Sequence, residues 1–147
     1  MKIREVMTLE PVCCTPEDTA QKVAKILRDQ NIGSVPVVLD QQSRTLLGMI
    51  TDRDLCCGII ADGLDPKTTK IEKTISLNPV SCREGENLEA CERLMQEHQI
   101  RRIPVVDGEG RCIGIITQAD LALREKPEKV SKTVAEISKP ATPGIAA

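Results

Sequence analysis

Apolar residues recur along the chain in two rhythms, and each rhythm predicts an element. Ala20, Val23, Ala24 and Leu27, spaced by three and four, predict a helix over about residues 19–30. Leu88, Cys91, Leu94 and Met95 repeat that stripe further on. Short aliphatic runs bounded by turn residues predict strands at Val35–Val38 and Leu46–Ile50, then at Ile103–Val106 and Cys112–Ile116. Pro11-Val12-Cys13 reads as one more short strand, and residues 3–7 as a helical turn. A second helix is expected from Asp52, and its counterpart over Gln118–Arg124. The charge-rich Lys126–Lys139 suits a short helix with Val130, Val134 and Ile137 on one side, and residues 140–147, with two prolines and small side chains, read as a disordered tail.

The rhythm is duplicated. A shift of 68 (Lys70 minus Lys2) matches Lys2-Ile3 with Lys70-Ile71, Pro11-Val12 with Pro79-Val80, Cys14 with Cys82, Ile32 with Ile100, and Pro36-Val37-Val38 with Pro104-Val105-Val106. Beyond the turn around Asp40–Thr45 the shift becomes 66 (Gly114 minus Gly48), so the first copy carries two extra residues there. Gly48, Ile50, Thr51, Asp54 and Leu55 then meet Gly114, Ile116, Thr117, Asp120 and Leu121. The predicted fold is therefore α/β of the α+β type: two tandem β-α-β-β-α units, neither large enough to bury its apolar faces alone, packed about a pseudo-twofold axis. We place the first unit at residues 2–60, a connecting segment at 61–70, the second unit at 71–125, and a C-terminal helix and tail at 126–147.

Composition narrows the function. The chain has no Phe, Tyr or Trp and a net charge of −2. It therefore lacks both the aromatic platforms on which single-stranded nucleic acid stacks and the basic excess of a DNA-binding domain. No apolar stretch approaches the length of a membrane span, and the N-terminus Met1-Lys2-Ile3-Arg4-Glu5 reads as no signal peptide. The expectation is a cytoplasmic protein whose seven cysteines are reduced thiols.

The repeated G-h-h-T-x-x-D stretch carries the chemistry. A threonine that ends a strand and opens a helix is an N-cap, the N–H groups behind it form an anion site, and an aspartate one turn in can accept bonds from paired hydroxyls. The competing reading is a capping box, but that pattern normally uses Glu or Gln, and Asp is short for reaching back to the cap's N–H. Two copies behind equivalent aliphatic strands favour a site.

These motifs resemble the CBS domain, and their duplication resembles a Bateman module. The resemblance rests on Val6-Met7-Thr8, Pro11-Val12, the I-x-x-h-P-V-V of Ile32–Val38 and Ile100–Val106, and the two T-x-x-D junctions, and covers about residues 2–124. It implies clefts between the units that bind an adenosyl ligand such as AMP, ADP, ATP or S-adenosylmethionine, with no other cofactor required. By the same resemblance, Asp54 and Asp120 hold ribose hydroxyls and Thr51 and Thr117 stand near phosphate. Val12-Cys13-Cys14 and Val80-Ser81-Cys82 meet the adenine edge, joined by Ile32, Pro36, Ile100 and Pro104. The resemblance further implies a flat homodimer and regulation of a target protein, without nucleic acid or membrane.

Arg101 and Arg102 precede the second h-P-V-V strand where the first copy has Gly33 and Ser34, and are the best phosphate-contact candidates; their plainer reading is a pair at a helix C-terminus. Arg53 is the matching candidate in the first copy, where the second has Ala119. Cys13, Cys14, Cys82 and the pair Cys56-Cys57 raise a redox or soft-metal sensor as an alternative, against a plainer reading as small buried hydrophobes. The lone His98 reads as a surface residue. No nucleophile–base arrangement, P-loop or paired acid points to catalysis, so the chain is expected to regulate, with a ligand-free interaction scaffold as the other reading.

Overall fold

The computed structural model describes residues 1–140, so the tail read from 140–147 falls, Pro140 aside, outside the described residues. A 3-10 turn at Ile3–Glu5 leads to strand β1 (Thr8–Leu9), helix α1 (Ala20–Gln30), strands β2 (Ser34–Val38) and β3 (Leu46–Thr51), helix α2 (Asp52–Leu55) and a wide π turn at Cys56–Ile60. The second half repeats the order: a 3-10 turn at Ile71–Lys73, then β4 (Ser76–Leu77), β5 (Cys82–Arg83), α3 (Leu88–His98), β6 (Arg102–Val106), β7 (Cys112–Thr117) and α4 (Gln118–Arg124). It then adds α5 (Pro127–Ile137).

Helix α1 begins at Thr19, whose hydroxyl accepts Lys22 N–H at 3.2 Å, and stops at Asn31, which turns left-handed at φ 53°. Its buried stripe is Ala20, Val23 and Leu27; Ala24, expected on that face, is exposed, and half-buried Ile26 takes the flank instead. The helix is rolled toward the side chain with more apolar surface to bury.

The strand expected at Pro11–Cys13 is not there. Pro11 has no N–H to give a ladder, and pairing starts at Cys14, whose N–H donates to Pro36 O at 3.0 Å and whose carbonyl accepts Val38 N–H at 2.8 Å. The corresponding residues Cys82–Arg83 form β5, parallel to β6. The leading strand lies earlier, at β1, and pairs across the molecule: Thr8 and Leu9 meet Ile115 and Gly114 of β7, while Ser76 and Leu77 of β4 meet Met49 and Gly48 of β3. Each half thus lends its first strand to the other's sheet, giving β1-β7-β6-β5 and β2-β3-β4. The cores follow the exchange. Ile3, Val6 and Met7 pack with Leu88, Met95, Ile103 and Leu121, whereas Ile71 packs with Val23, Val35 and Ile50. A third cluster, Cys13, Val38 and Cys112 with Leu46, sits between the halves.

Only the first turn after Asp52 is α-helical. Thr74 Oγ1 donates to Asp54 O at 3.2 Å, taking the carbonyl that an α-helical Gly58 N–H would use, and Ala61 N–H reaches back five residues to Cys56 O at 2.9 Å. Helix α5 covers α3: Thr133 and Ile137 are buried, Val130 and Val134 half-buried, and Gln96 Nε2 donates to Thr133 Oγ1 at 2.9 Å.

Candidate functional site

Both T-x-x-D junctions form complete capping boxes. Asp54 Oδ2 accepts Thr51 N–H at 2.9 Å, and Asp54 N–H donates to Thr51 Oγ1 at 3.1 Å. Asp120 Oδ2 accepts Thr117 N–H at 2.7 Å and the Thr117 hydroxyl at 2.9 Å, while Asp120 N–H donates to Thr117 Oγ1 at 3.3 Å. The expectation that aspartate is too short for this reach is therefore corrected. The extended threonine backbone (φ −116° and −119°) brings its N–H over the first turn. None of these bonds uses Oδ1.

The helix start is also less open to anions than the pattern implied. The first helical N–H groups donate to carbonyls, Asp52 N to Gly33 O at 3.1 Å and Gln118 N to Arg101 O at 2.8 Å, and the third are taken by the threonines. In the first copy Asp52 Oδ1 takes the second as well, from Arg53 N at 2.8 Å. The second copy has an uncharged glutamine, Gln118, in that position.

A cavity of about 590 Å³ lies between the halves at Asp120. The first half supplies Thr8–Val12, Gln30–Ser34 and Pro36; the second supplies Arg101, Arg102, Ile115 and Thr117–Asp120. Of the candidates from sequence, the cavity gathers Val12, Ile32, Pro36, Arg101, Arg102, Thr117 and Asp120. Thr51, Arg53, Asp54, Val80, Ile100 and Pro104 lie outside its lining, Cys13 and Ser81 line separate grooves, and Cys14 and Cys82 are buried in the two cores. Leu9, Val12 and Ile32 keep 67%, 41% and 42% of their surface exposed, so one wall is open apolar surface. Arg102 crosses to the first half, and its guanidinium lies over Gly33. Sequence reasoning missed Glu10 and Asn31, which line the cavity with left-handed backbones (φ 45° and 53°). Asn31, directly behind the helix read to residue 30, is a residue type that readily turns left-handed at a helix end, whereas nothing in its residue type marked Glu10.

The cysteines divide. Cys56 and Cys57 are exposed and the other five are buried, so the reading of small buried hydrophobes fails for the vicinal pair on the π turn. Burial pushes the Cys14 thiol up to about 12. Cys13 moves the other way: the neighbouring Cys112 thiol first, then the Arg44 charge, outweigh its burial and lower it. Cys82 and Cys91 are both buried in the second core, and the Cys91 side chain lowers the Cys82 thiol against its burial. His98 is exposed. Among the described residues no group of three or more His, Cys, Asp or Glu side chains is placed to hold a metal ion, and no helix is long and apolar enough to cross a membrane.

The CBS domain model matches residues 3–60 and 71–125. Uncharacterized protein YlbB of Bacillus subtilis (strain 168) is 37% identical over 138 residues, 93% of this chain and 91% of that protein. Hypoxic response protein 1 of Mycobacterium tuberculosis is 34% identical over 125 residues, 85% of each. A structure of Hypoxic Response Protein I with two coordinated zinc ions superposes with a TM-score of 0.76 at 31% identity, over 86% of this chain and 100% of that one. CBSX2 in complex with AMP gives 0.67 at 25% identity, over 94% and 98%. The CBS domain pair of MJ0100, in complex with 5′-methylthioadenosine and S-adenosyl-L-methionine, gives 0.73 at 26%, over 84% and 98%. With both halves matched and each completing the other's sheet, the chain belongs to the CBS-domain family, as a CBS pair.

Proposed function

We propose that the chain is a regulatory CBS pair that binds an adenosyl ligand in the cleft at Asp120 and passes its occupancy to a partner protein. The observation that carries the reading is the content of the cavity, in which residues of both halves meet. Leu9, Val12 and Ile32 offer a flat apolar wall to a purine. Asp120 Oδ1, outside the capping box, takes the ribose hydroxyls. Arg101 and Arg102 pair with phosphate through charge-assisted bonds. The complexes of CBSX2 with AMP and of the MJ0100 pair with 5′-methylthioadenosine and S-adenosyl-L-methionine support the same ligand class. By the repeat, Asp54, with Thr51, Arg53, Val80, Ser81, Ile100 and Pro104, makes the pseudo-equivalent second site, from which Cys82, buried in the second core, is left out. A ligand that touches both halves binds one arrangement of them better than another, and that difference is all a signal needs. Two chains form a homodimer in the cytoplasm, and no further cofactor takes part.

Calorimetric titration with AMP, ATP, S-adenosylmethionine and NADH tests this. A saturable heat with an adenosyl compound, lost in Asp120→Ala, is expected. Absence of heat and of thermal shift with all four sinks the ligand reading in favour of a scaffold.

A further inference from the structure

Arg44 stands where the second half has Gly110, and it keeps the glycine's left-handed backbone, φ 55° against 80°. A residue with a Cβ is held there only by its surroundings, and here the side chain is the tether. Its Nη2 donates to Pro11 O at 2.8 Å and lies 3.2 Å from Cys13 Sγ, and its Nε donates to Cys112 O at 3.2 Å. Cys13 and Cys112 pack with Val38 in one buried cluster where the halves meet, their thiols donating to Pro11 O at 3.3 Å and Gly114 O at 3.6 Å. An open groove walled by Lys22, Gln41 and Arg44 reaches Cys13. The fold contains its own comparison: at the pseudo-symmetric junction Ser81, Leu46 and Gly110 replace Cys13, Cys112 and Arg44. The other thiol pair, Cys82 and Cys91, lies in the second core with Glu86 as its charged neighbour.

We propose that Cys13 and Cys112 are a reversible redox pair, closed to a disulfide between the halves by a small hydroperoxide entering the Arg44 groove. The Cys13 thiolate, favoured by the adjacent cation, attacks the distal peroxide oxygen. The S–O bond forms as the O–O bond breaks, and the departing alkoxide takes the proton Cys13 gave up and leaves as alcohol. Cys112 sulfur then attacks the Cys13 sulfenic acid. The S–S bond forms, the S–O bond breaks, and hydroxide leaves as water with the Cys112 proton. Two thiols have lost two electrons and the peroxide has gained them; an external dithiol reverses the change. The bond ties Cys13, next to Val12 of the cavity wall, to the first residue of β7. It stands independently of the ligand reading.

The test uses the full chain carrying Cys56→Ser and Cys57→Ser, which removes the exposed thiols. After brief hydrogen peroxide, alkylation and digestion without reductant, mass spectrometry is expected to find the Cys13 and Cys112 peptides joined, and separate after dithiothreitol. In Cys112→Ser, Cys13 is expected to stop at the sulfenic acid, trapped by dimedone. Arg44→Gly, which suits the backbone at that position, is expected to slow closure by roughly tenfold. The proposal is overturned if both thiols remain fully alkylatable, if Cys82–Cys91 closes as fast, or if Arg44→Gly closes at the parent rate.

Discussion

Arg102 lies with its guanidinium against the backbone of Gly33, across the boundary between the halves: a Cβ on Gly33 would overlap Nη2 and sit 2.9 Å from Cζ. Glycine is needed there for a close approach rather than for a left-handed turn. Gly33→Ala therefore displaces the far end of a flexible side chain and leaves the fold alone, with a Tm change of about 2 °C or less. Nucleotide affinity, measured by calorimetry, is expected to fall by about tenfold, the worth of one charge-assisted bond. An unchanged affinity would show that Arg102 makes no contact with the ligand.

Asp54 and Asp120 hold the same capping box, yet only Asp120 lines the cavity. Asp54→Ala and Asp120→Ala should each cost about 1 kcal/mol through the lost cap, a Tm drop of about 2–4 °C. Their effects on the ligand should part company. Asp120→Ala abolishes the tighter adenosyl site, while Asp54→Ala spares it. Melting curves and titrations on both variants separate the structural role from the binding one, and retention of full affinity in the double variant rejects the ribose role.

The duplication was legible because the same residues recur at one offset, and α1 and α3 because their apolar stripes run long enough to set a period. What stayed hidden was held by partners far along the chain. Strands β1 and β4 have two residues each, with Leu9 and Leu77 both 67% exposed, and exist only through the sheets of the opposite halves. The same distance hid the π turn, which depends on Thr74. At the site, Asp120 and its arginines were legible as chemistry. Their union with Val12 and Ile32 in one cavity is a matter of packing, and Glu10 and Arg44 adopt backbones that their residue types do not announce.

The strand exchange predicts unequal glycines. A Cβ on Gly48 would sit 2.5 Å from Ser76 O, a backbone atom in a paired strand; on Gly114 it would sit 2.6 Å from Met7 Sδ, which can swing away, and 3.1 Å from Thr8 O. Gly48→Ala is expected to destabilise by about 2–3 kcal/mol and Gly114→Ala by about 1 kcal/mol. Urea unfolding checks this, and equal midpoints would show that β4 yields as easily as Met7.

Glu92 gives the second half a pH dependence. It lies on α3, 7% exposed, with Oε1 buried and without a hydrogen-bond partner among the described residues. Burial first, then the Glu125 carboxyl, raises its pKa above the ordinary 4.5; Glu89 adds to the rise and Lys129 opposes it. A carboxyl with a raised folded-state pKa binds its proton more tightly in the folded chain than in the unfolded one. Its stabilisation is complete below pH 4.5 and is lost as pH climbs through the raised value. Glu92→Gln fixes the neutral form. It should melt with the parent near pH 4 and above it at pH 7 by about 1 kcal/mol, or about 2–4 °C. Thermal melts of both proteins from pH 4 to 8 decide the matter. Curves that stay parallel across that range would mean that Glu92 titrates alike in the folded and unfolded chains, and that the α3–α5 contact does not respond to acid through this group.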